Sequence, residues 1–171
     1  MKTAFCGTTA FASTLLASLI ESDRAPSLVV APPPSRAGRG RSLTPTPVAA
    51  LAGDSGLDLI EAADVNDGAV ASALSELDPD AVVVCAFGQL IGPELVAAHR
   101  FLNVHPSLVP RWRGAAPIER VLLAGDTESG VSVMDLTEGL DDGPVLATER
   151  VEVLSEDTYV TLSGRLAEAS C

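Results

Sequence analysis

Two residues, two positions apart, carry the chemistry this chain has to offer: Asn103 and His105, in the run Leu102-Asn103-Val104-His105-Pro106. A carboxamide N–H donates to an oxygen on which negative charge develops. An imidazole shuttles a proton near neutral pH or, as imidazolium, stabilises the same charge. A carboxylate orients such a ring and supports its cation. Of the acidic pair in Gly139-Leu140-Asp141-Asp142-Gly143, Asp141 is the leading candidate for that task. No serine or cysteine stands out as a nucleophile, so the attacking group belongs to the substrate. The set points to direct transfer of a small carbonyl group to an amine. Plainer readings exist: an Asn-x-His step in a strand is often structural, and Gly-Leu-Asp-Asp-Gly has the composition of a turn. The acidic pair lacks the alternating oxygen ligands of a calcium loop, which argues against a metal there.

These residues need a frame. Apolar and polar residues alternate over 102–105, which predicts a strand with Asn103 and His105 on one face and Leu102 and Val104 packed behind. Pro106 ends it. Residues 3–6, 27–31, 58–61, 81–86, 101–105, 130–135 and 145–153 read as strands. Residues 10–21, 47–52, 67–77, 93–98, 116–124 and 158–168 read as helices. The run Ala81-Val82-Val83-Val84-Cys85-Ala86 suits a central strand buried on both faces. Strands alternating with helices predict an α/β fold: three layers, a mostly parallel twisted sheet with helices on both faces, in one domain over 1–171. Gly7-Thr8-Thr9 turns strand into helix without the GxGxxG spacing, so the Rossmann-like architecture comes without a dinucleotide fingerprint. Residues 32–42, rich in Pro, Gly and Arg, are too long and irregular for a simple connection and predict a functional or mobile loop.

The 171 residues suffice for a sizeable core. With 47% hydrophobic but only 4% aromatic residues, that core is aliphatic. The opening MKTAFCGTTAFASTLLASLI superficially resembles a signal peptide. Gly7-Thr8-Thr9 splits its apolar region and no clear cleavage site follows, so strand, turn and helix is the better reading. No run is long enough to span a membrane. Three scattered cysteines, Cys6, Cys85 and Cys171, form neither a disulfide framework nor a zinc site, which points to the cytoplasm. A net charge of −12 counts against a general nucleic-acid binder. Arginines nevertheless cluster: Arg36, Arg39 and Arg41 in one loop, Arg111, Arg113 and Arg120 just after the Asn-His strand. Such patches either grip phosphate or form surface ion pairs of little energetic weight.

Three segments taken together are more specific. Asn103-x-His105-x-Ser107-Leu108-x-Pro110, then Arg111-Trp112-Arg113-Gly114-Ala115-Ala116-Pro117-Ile118, then Gly139-Leu140-Asp141-x-Gly143 resemble the folate-dependent formyltransferases, above all the branch that acts on methionyl initiator tRNA. The likeness runs from Phe5-Cys6-Gly7-Thr8 through the last helix. It implies catalytic positions at Asn103, His105 and Asp141; Asp141 is favoured over Asp142 because it directly follows Gly139-Leu140. It implies a site for the co-substrate 10-formyltetrahydrofolate at Ser107, Leu108, Val109 and Pro110. Phe87, Gly88, Gln89 and Leu90, with Thr137 and Glu138, would line the pterin pocket, largely through backbone groups. It implies tRNA contacts at Arg36, Arg39 and Arg41, with Arg39 central, and at Arg111 and Arg113. No metal and no membrane are implied, and a monomer is expected. Two departures stand out: Pro33-Pro34-Ser35-Arg36 lacks the usual Asp-Arg-Pro order, and Pro106 replaces a commoner glycine. The family's C-terminal β-barrel domain is expected to be missing from this chain, leaving the catalytic domain incomplete at its C-terminus. Rival readings are a formyltransferase for a ribonucleotide or amino-sugar amine, a formyl-folate hydrolase, and a silent folate- or RNA-binding domain.

Overall fold

The computed structural model describes residues 1–37 and 42–171. The chain runs β1 (Thr3–Gly7), α1 (Ala10–Glu21), β2 (Leu28–Ala31), β3 (Ser35–Ala37), β4 (Ser42–Thr44), α2 (Pro47–Asp54), β5 (Leu59–Glu61), α3 (Gly68–Leu77) and β6 (Ala81–Cys85). It continues through α4 (Pro93–Ala98), β7 (Phe101–His105), α5 (Pro117–Ala124), β8 (Glu128–Asp135), β9 (Val145–Glu152) and α6 (Tyr159–Ala169). Seven strands form one sheet in the order β5-β2-β1-β6-β7-β8-β9. Pairing is parallel from β5 to β7 and antiparallel across β7–β8 and β8–β9. The expected mostly parallel sheet is present.

Alternation along each strand builds two cores. Phe5, Val29, Ala31, Cys85 and Val104 face one side and pack with α1, α2, α5 and α6. Ala4, Cys6, Val30, Val82, Val84 and Phe101 face the other and pack with α3 and α4. Helices therefore cover both faces. Their starts are written in the sequence: the side chains of Thr9, Thr46 and Asp67 accept from the backbone N–H of Ala12, Ala49 and Ala69. Each such cap is worth about 1 kcal/mol. Among the described residues no helix is long and apolar enough to cross a membrane.

The chain leaves β1 toward β2 on one side and later returns to place β6 on the other. In open α/β sheets this reversal opens a crevice beyond the carboxyl ends of the strands, where ligands bind. The residue pair Asn103 and His105 ends β7, beside that crevice.

Residues 32–42, expected as an irregular loop, are partly regular. β3 and β4 pair antiparallel, with Arg36 opposite Leu43, as a two-stranded ribbon separate from the main sheet. The physical reason is local: Ser35 and Ala37 face Thr44 and Ser42, small residues that suit a short ladder. Arg39 and Arg41 lie outside the described residues.

Candidate active site

A cleft of about 860 Å³ opens over the carboxyl ends of β1, β6 and β7. Asn103, His105 and Asp141 meet in its wall. The Asn103 amide Nδ2 donates to Asp141 Oδ1 at 2.7 Å. Asp141 Oδ2 accepts from the Gly114 backbone N–H at 2.8 Å and stands 3.4 Å from His105 Nδ1. On its other side, the ring places Nε2 at 3.0 Å from the Trp112 carbonyl oxygen. A carbonyl only accepts, so Nε2 carries a hydrogen. Nδ1 is then the nitrogen at which a proton can be held or released, beside a carboxylate. Only 7% of the His105 side chain and 11% of the Asp141 side chain reach solvent. The His105–Asp141 charge interaction is therefore weakly screened.

The fold reaches this arrangement by different routes for each residue. Asn103 and His105 share a strand face, with Val104 buried behind them. Asp141 arrives on the connection between β8 and β9, which is shaped by tight approaches. A Cβ at Gly139 would stand 2.0 Å from Asp142 Oδ2, and one at Gly143 would stand 1.9 Å from the Asp135 carbonyl oxygen. Asp142 Oδ1 accepts from the Thr137 hydroxyl at 2.5 Å and closes the loop on itself. The two neighbouring acids thus divide the work: Asp142 shapes the loop, and Asp141 reaches the strand. Asp141, Ala86 and Ala116 line the cleft with positive φ, and Trp112, behind His105 on a separate smaller cavity, shares that backbone conformation. Non-glycine residues held in that region cost about 1–3 kcal/mol each, and such strain gathers at functional sites.

Phe87, Gly88, Gln89, Leu90, Thr137 and Glu138 line the cleft. Phe87 does so while its ring packs in the core, and its carbonyl accepts from the Thr8 hydroxyl at 2.5 Å. Gln89 turns its amide away: Oε1 accepts from the Val65 N–H at 2.6 Å and Nε2 donates to the Ala62 carbonyl at 3.0 Å. Asn66 holds the same rim, donating to the Leu90 carbonyl and accepting from the Gly92 N–H. The Gln89 and Asn66 side chains thus clamp the loop that lines the cleft.

Ser107, Leu108, Val109 and Pro110 directly follow His105 and Pro106 of the cleft wall and are not themselves among its lining residues. Ser107 is fully buried and donates its hydroxyl to the Arg111 carbonyl at 2.7 Å. Ser132 donates to the Ser107 carbonyl and accepts from the Val109 N–H, fastening the turn to β8. These groups are satisfied within the protein, so the turn supports His105 from behind. Arg111 also points elsewhere: it makes a bidentate pair with Asp126, through Nε at 2.8 Å and Nη2 at 2.6 Å. The Asp126 carboxyl is held below its ordinary range chiefly by that hydrogen bond. Arg113 is exposed, and its carbonyl accepts from Arg120 at 2.7 Å. Arg36 is exposed on the β3–β4 ribbon.

The contributions that sequence reasoning missed come from the main chain: the Trp112 carbonyl and the Gly114 N–H. No side-chain pattern marks them, although the Arg-Trp-Arg-Gly-Ala-Ala-Pro run named their segment. Cys6 and Cys85 are buried, and burial pushes both thiols up to about 12. Neither serves as a nucleophile. Among the described residues no group of three or more His, Cys, Asp or Glu is placed to hold a metal ion.

Comparison with known proteins identifies relatives of this arrangement. A family model described as formyl transferase matches residues 1–170. The methionyl-tRNA formyltransferase of Phenylobacterium zucineum is 46% identical over 171 residues, covering 99% of this chain and 56% of the relative. That of Thermus thermophilus is 43% identical over 170 residues, covering 98% of this chain and 55% of the relative. The chain therefore spans a little over half the length of these relatives. Among solved structures, a phosphoribosylglycinamide formyltransferase from Bacillus halodurans superposes with a TM-score of 0.81 at 23% identity, covering 99% of this chain and 89% of the other. One from Brucella melitensis gives 0.75 at 28%, with coverage of 99% and 89%.

Proposed function

The chain belongs to the formyl transferase family, and from that membership we propose that it transfers the formyl group of 10-formyltetrahydrofolate to the α-amino group of methionyl initiator tRNA. The observation that carries the reading is the meeting of Asn103, His105 and Asp141 at one point of the cleft wall. The relatives named methionyl-tRNA formyltransferase favour the tRNA acceptor.

The cleft fits the donor. Its floor is largely apolar, and its rim at residues 87–92 offers main-chain groups fixed by Gln89 and Asn66. A flat, amide-bearing pterin is recognised by such a rim. The attacking nitrogen belongs to the acceptor, whose α-amine has an ordinary pKa near neutrality and is partly uncharged there. As this nitrogen bonds to the formyl carbon, the carbonyl oxygen gains charge. Asn103 gives one amide N–H to Asp141 and has a second to offer that oxygen. His105 supplies a fixed positive charge when Nδ1 is protonated, and Asp141 supports it. The bond from the formyl carbon to the donor nitrogen then breaks, and the proton the leaving nitrogen takes comes from the amine by way of a water, or from His105 Nδ1, which the amine's proton then refills. Asp141 also ties Asn103 to His105, so the donor and the cation keep one spacing.

Arg36, Arg39, Arg41 and Arg113 are proposed as phosphate contacts for tRNA. Arg111, paired with Asp126, is the weakest of the set. The proposed setting is the cytoplasm, where charged initiator tRNA is found, and the chain is proposed as one catalytic domain.

A formylation assay with labelled donor and charged initiator tRNA tests the reading, run beside His105→Ala. Turnover that is lost in the variant supports it. Equal turnover by both proteins refutes the mechanism. Turnover only on a ribonucleotide amine, an amino sugar or water refutes the acceptor.

A further inference from the structure

We propose that Asp126 is a positioning residue for His105 and acts through Trp112: its carboxylate seats the indole, and that seat fixes where the Trp112 carbonyl meets the ring. The proposal rests on the formyl-transfer reading only for its kinetic consequence.

Three groups converge on the Trp112 indole. Asp126 Oδ2 accepts from Nε1–H at 2.7 Å. The Arg111 and Arg120 guanidinium groups lie 4.2 and 4.8 Å from the ring centroid. Arg111 is itself fastened to Asp126, and Arg120 donates to the Arg113 carbonyl. Residues 111–113 are thus braced from the α5 side. Asp126 has a firm base, because its N–H donates to the Val121 carbonyl just past the left-handed Gly125 cap of α5.

The brace matters because Trp112 has φ near 60°. A tryptophan does not adopt this backbone conformation by local preference. Side-chain contacts must hold it, and the carbonyl that meets His105 Nε2 at 3.0 Å belongs to the same residue. Release of the indole therefore frees the carbonyl to move. Asp126 lines a separate, smaller cavity and not the cleft, so it touches no reacting group.

A general structural role and a positioning role differ in one observable. While the Trp112 carbonyl stands at Nε2, the neutral ring carries its hydrogen there. Once the carbonyl moves, Nε2–H loses its acceptor, and the tautomer with hydrogen on Nδ1, which has Asp141 Oδ2 3.4 Å away, gains weight. The chain has only two histidines, His99 and His105, so a ¹⁵N imidazole spectrum holds two rings, and His99 serves as the internal control.

The experiment uses the whole ¹⁵N-labelled chain without substrates, at alkaline pH where imidazoles are neutral. Wild type is compared with Asp126→Ala, Asp126→Asn, Trp112→Phe and Arg111→Ala. Wild type is expected to show one His105 form with hydrogen on Nε2. Asp126→Ala and Trp112→Phe are expected to show a mixture, with His99 unchanged. Asp126→Asn, which keeps an acceptor for the indole, restores the single form. In the formylation assay Asp126→Ala and Trp112→Phe are expected to lose about 10- to 100-fold in kcat, with the donor KM unchanged. Unchanged His105 signals in a folded Asp126→Ala protein overturn the proposal. So does an Arg111→Ala variant that disturbs the ring as much as Asp126→Ala. If Asp126→Ala does not fold, Trp112→Phe and Asp126→Asn decide. If no protein formylates tRNA, the formyl-transfer reading fails while the ring spectra still judge the positioning role.

Discussion

Asn103 donates its amide to the Asp141 carboxylate across 2.7 Å, joining positions 38 residues apart in sequence. The same carboxylate takes the Gly114 N–H and faces His105, so one side chain links β7, the segment before α5 and the β8–β9 connection. Under the proposed mechanism, Asn103→Ala removes the donor to the developing oxyanion and also a partner of Asp141. Turnover is expected to fall by about 10²- to 10³-fold. Asp141→Asn is expected to fall at least as far, because an amide no longer supports an imidazolium. Steady-state formylation of charged tRNA measures both; turnover within a factor of about three of wild type in either one refutes the assignment.

In the connection that carries Asp141, a Cβ at Gly139 would meet the Asp142 carboxylate, which must then move. Gly139→Ala is expected to push Asp142 off Thr137 and displace Asp141, lowering activity far more than stability. Gly53 in α2 is the contrast, because a Cβ there meets nothing within 4 Å. Gly53→Ala is expected to stabilise the fold by about 0.5–1 kcal/mol. Thermal melts and turnover on both variants check the pair.

Thiol chemistry reports the core. Cys6 and Cys85 are buried with thiols pushed up to about 12, whereas Cys171 is exposed. A thiolate-selective reagent is expected to modify one cysteine in the native chain and all three in denaturant. Native labelling of Cys85 counts against the buried central strand β6.

Acid stability has a defined sign. Asp157 accepts from Arg165, from the Leu154 N–H and from the Thr161 hydroxyl, and chiefly the Arg165 contact holds its carboxyl below the ordinary 3.8. A lowered folded value means that the unfolded chain binds the proton first as pH falls. The stabilisation is present above pH 3.8 and disappears as pH drops through the folded value. Asp157→Asn is expected to flatten the melting temperature of the chain against pH below 3.8 and to lower it at pH 7. Unchanged pH dependence in the variant refutes the link.

For tRNA, replacing Arg36, Arg39 and Arg41 together with alanine is expected to weaken binding and to lower the slope of log affinity against log salt by about three if each meets a phosphate. Gel-shift titration at several salt concentrations measures it. The same titration against a longer methionyl-tRNA formyltransferase relative is expected to show tighter binding by the longer protein; equal affinity assigns the grip to this region alone.

Much of the frame was legible from periodicity. The 10–21 and 93–98 helices and the 101–105 strand stand where the sequence placed them, because capping residues, prolines and alternation are local signals. Thr9, Pro93 and Pro106 mark those boundaries by their own chemistry. The meeting of Asn103 with His105 followed from strand geometry alone. Asp141 was a candidate by residue type alone and was favoured over Asp142 by family likeness, since no local rule brings a residue 38 positions away to a strand end. The Trp112 carbonyl and Gly114 N–H were beyond reach because every residue has those groups. The acceptor of the Ser107 hydroxyl, the Arg111 carbonyl, was out of reach for the same reason.

The acid arrives from an edge hairpin whose outer strand, β9, is exposed along nearly its whole length. The proposed chemistry is consequently assembled across a seam between a buried interior and a margin held by its ladder to β8 and by Arg165 of α6 at the Glu152 carbonyl. Peeling back that margin would undo the proposed site while the centre of the fold stayed intact. Loss of turnover in mild denaturant would then precede any loss of helix, and catalytic competence would track the health of the hairpin rather than of the whole molecule.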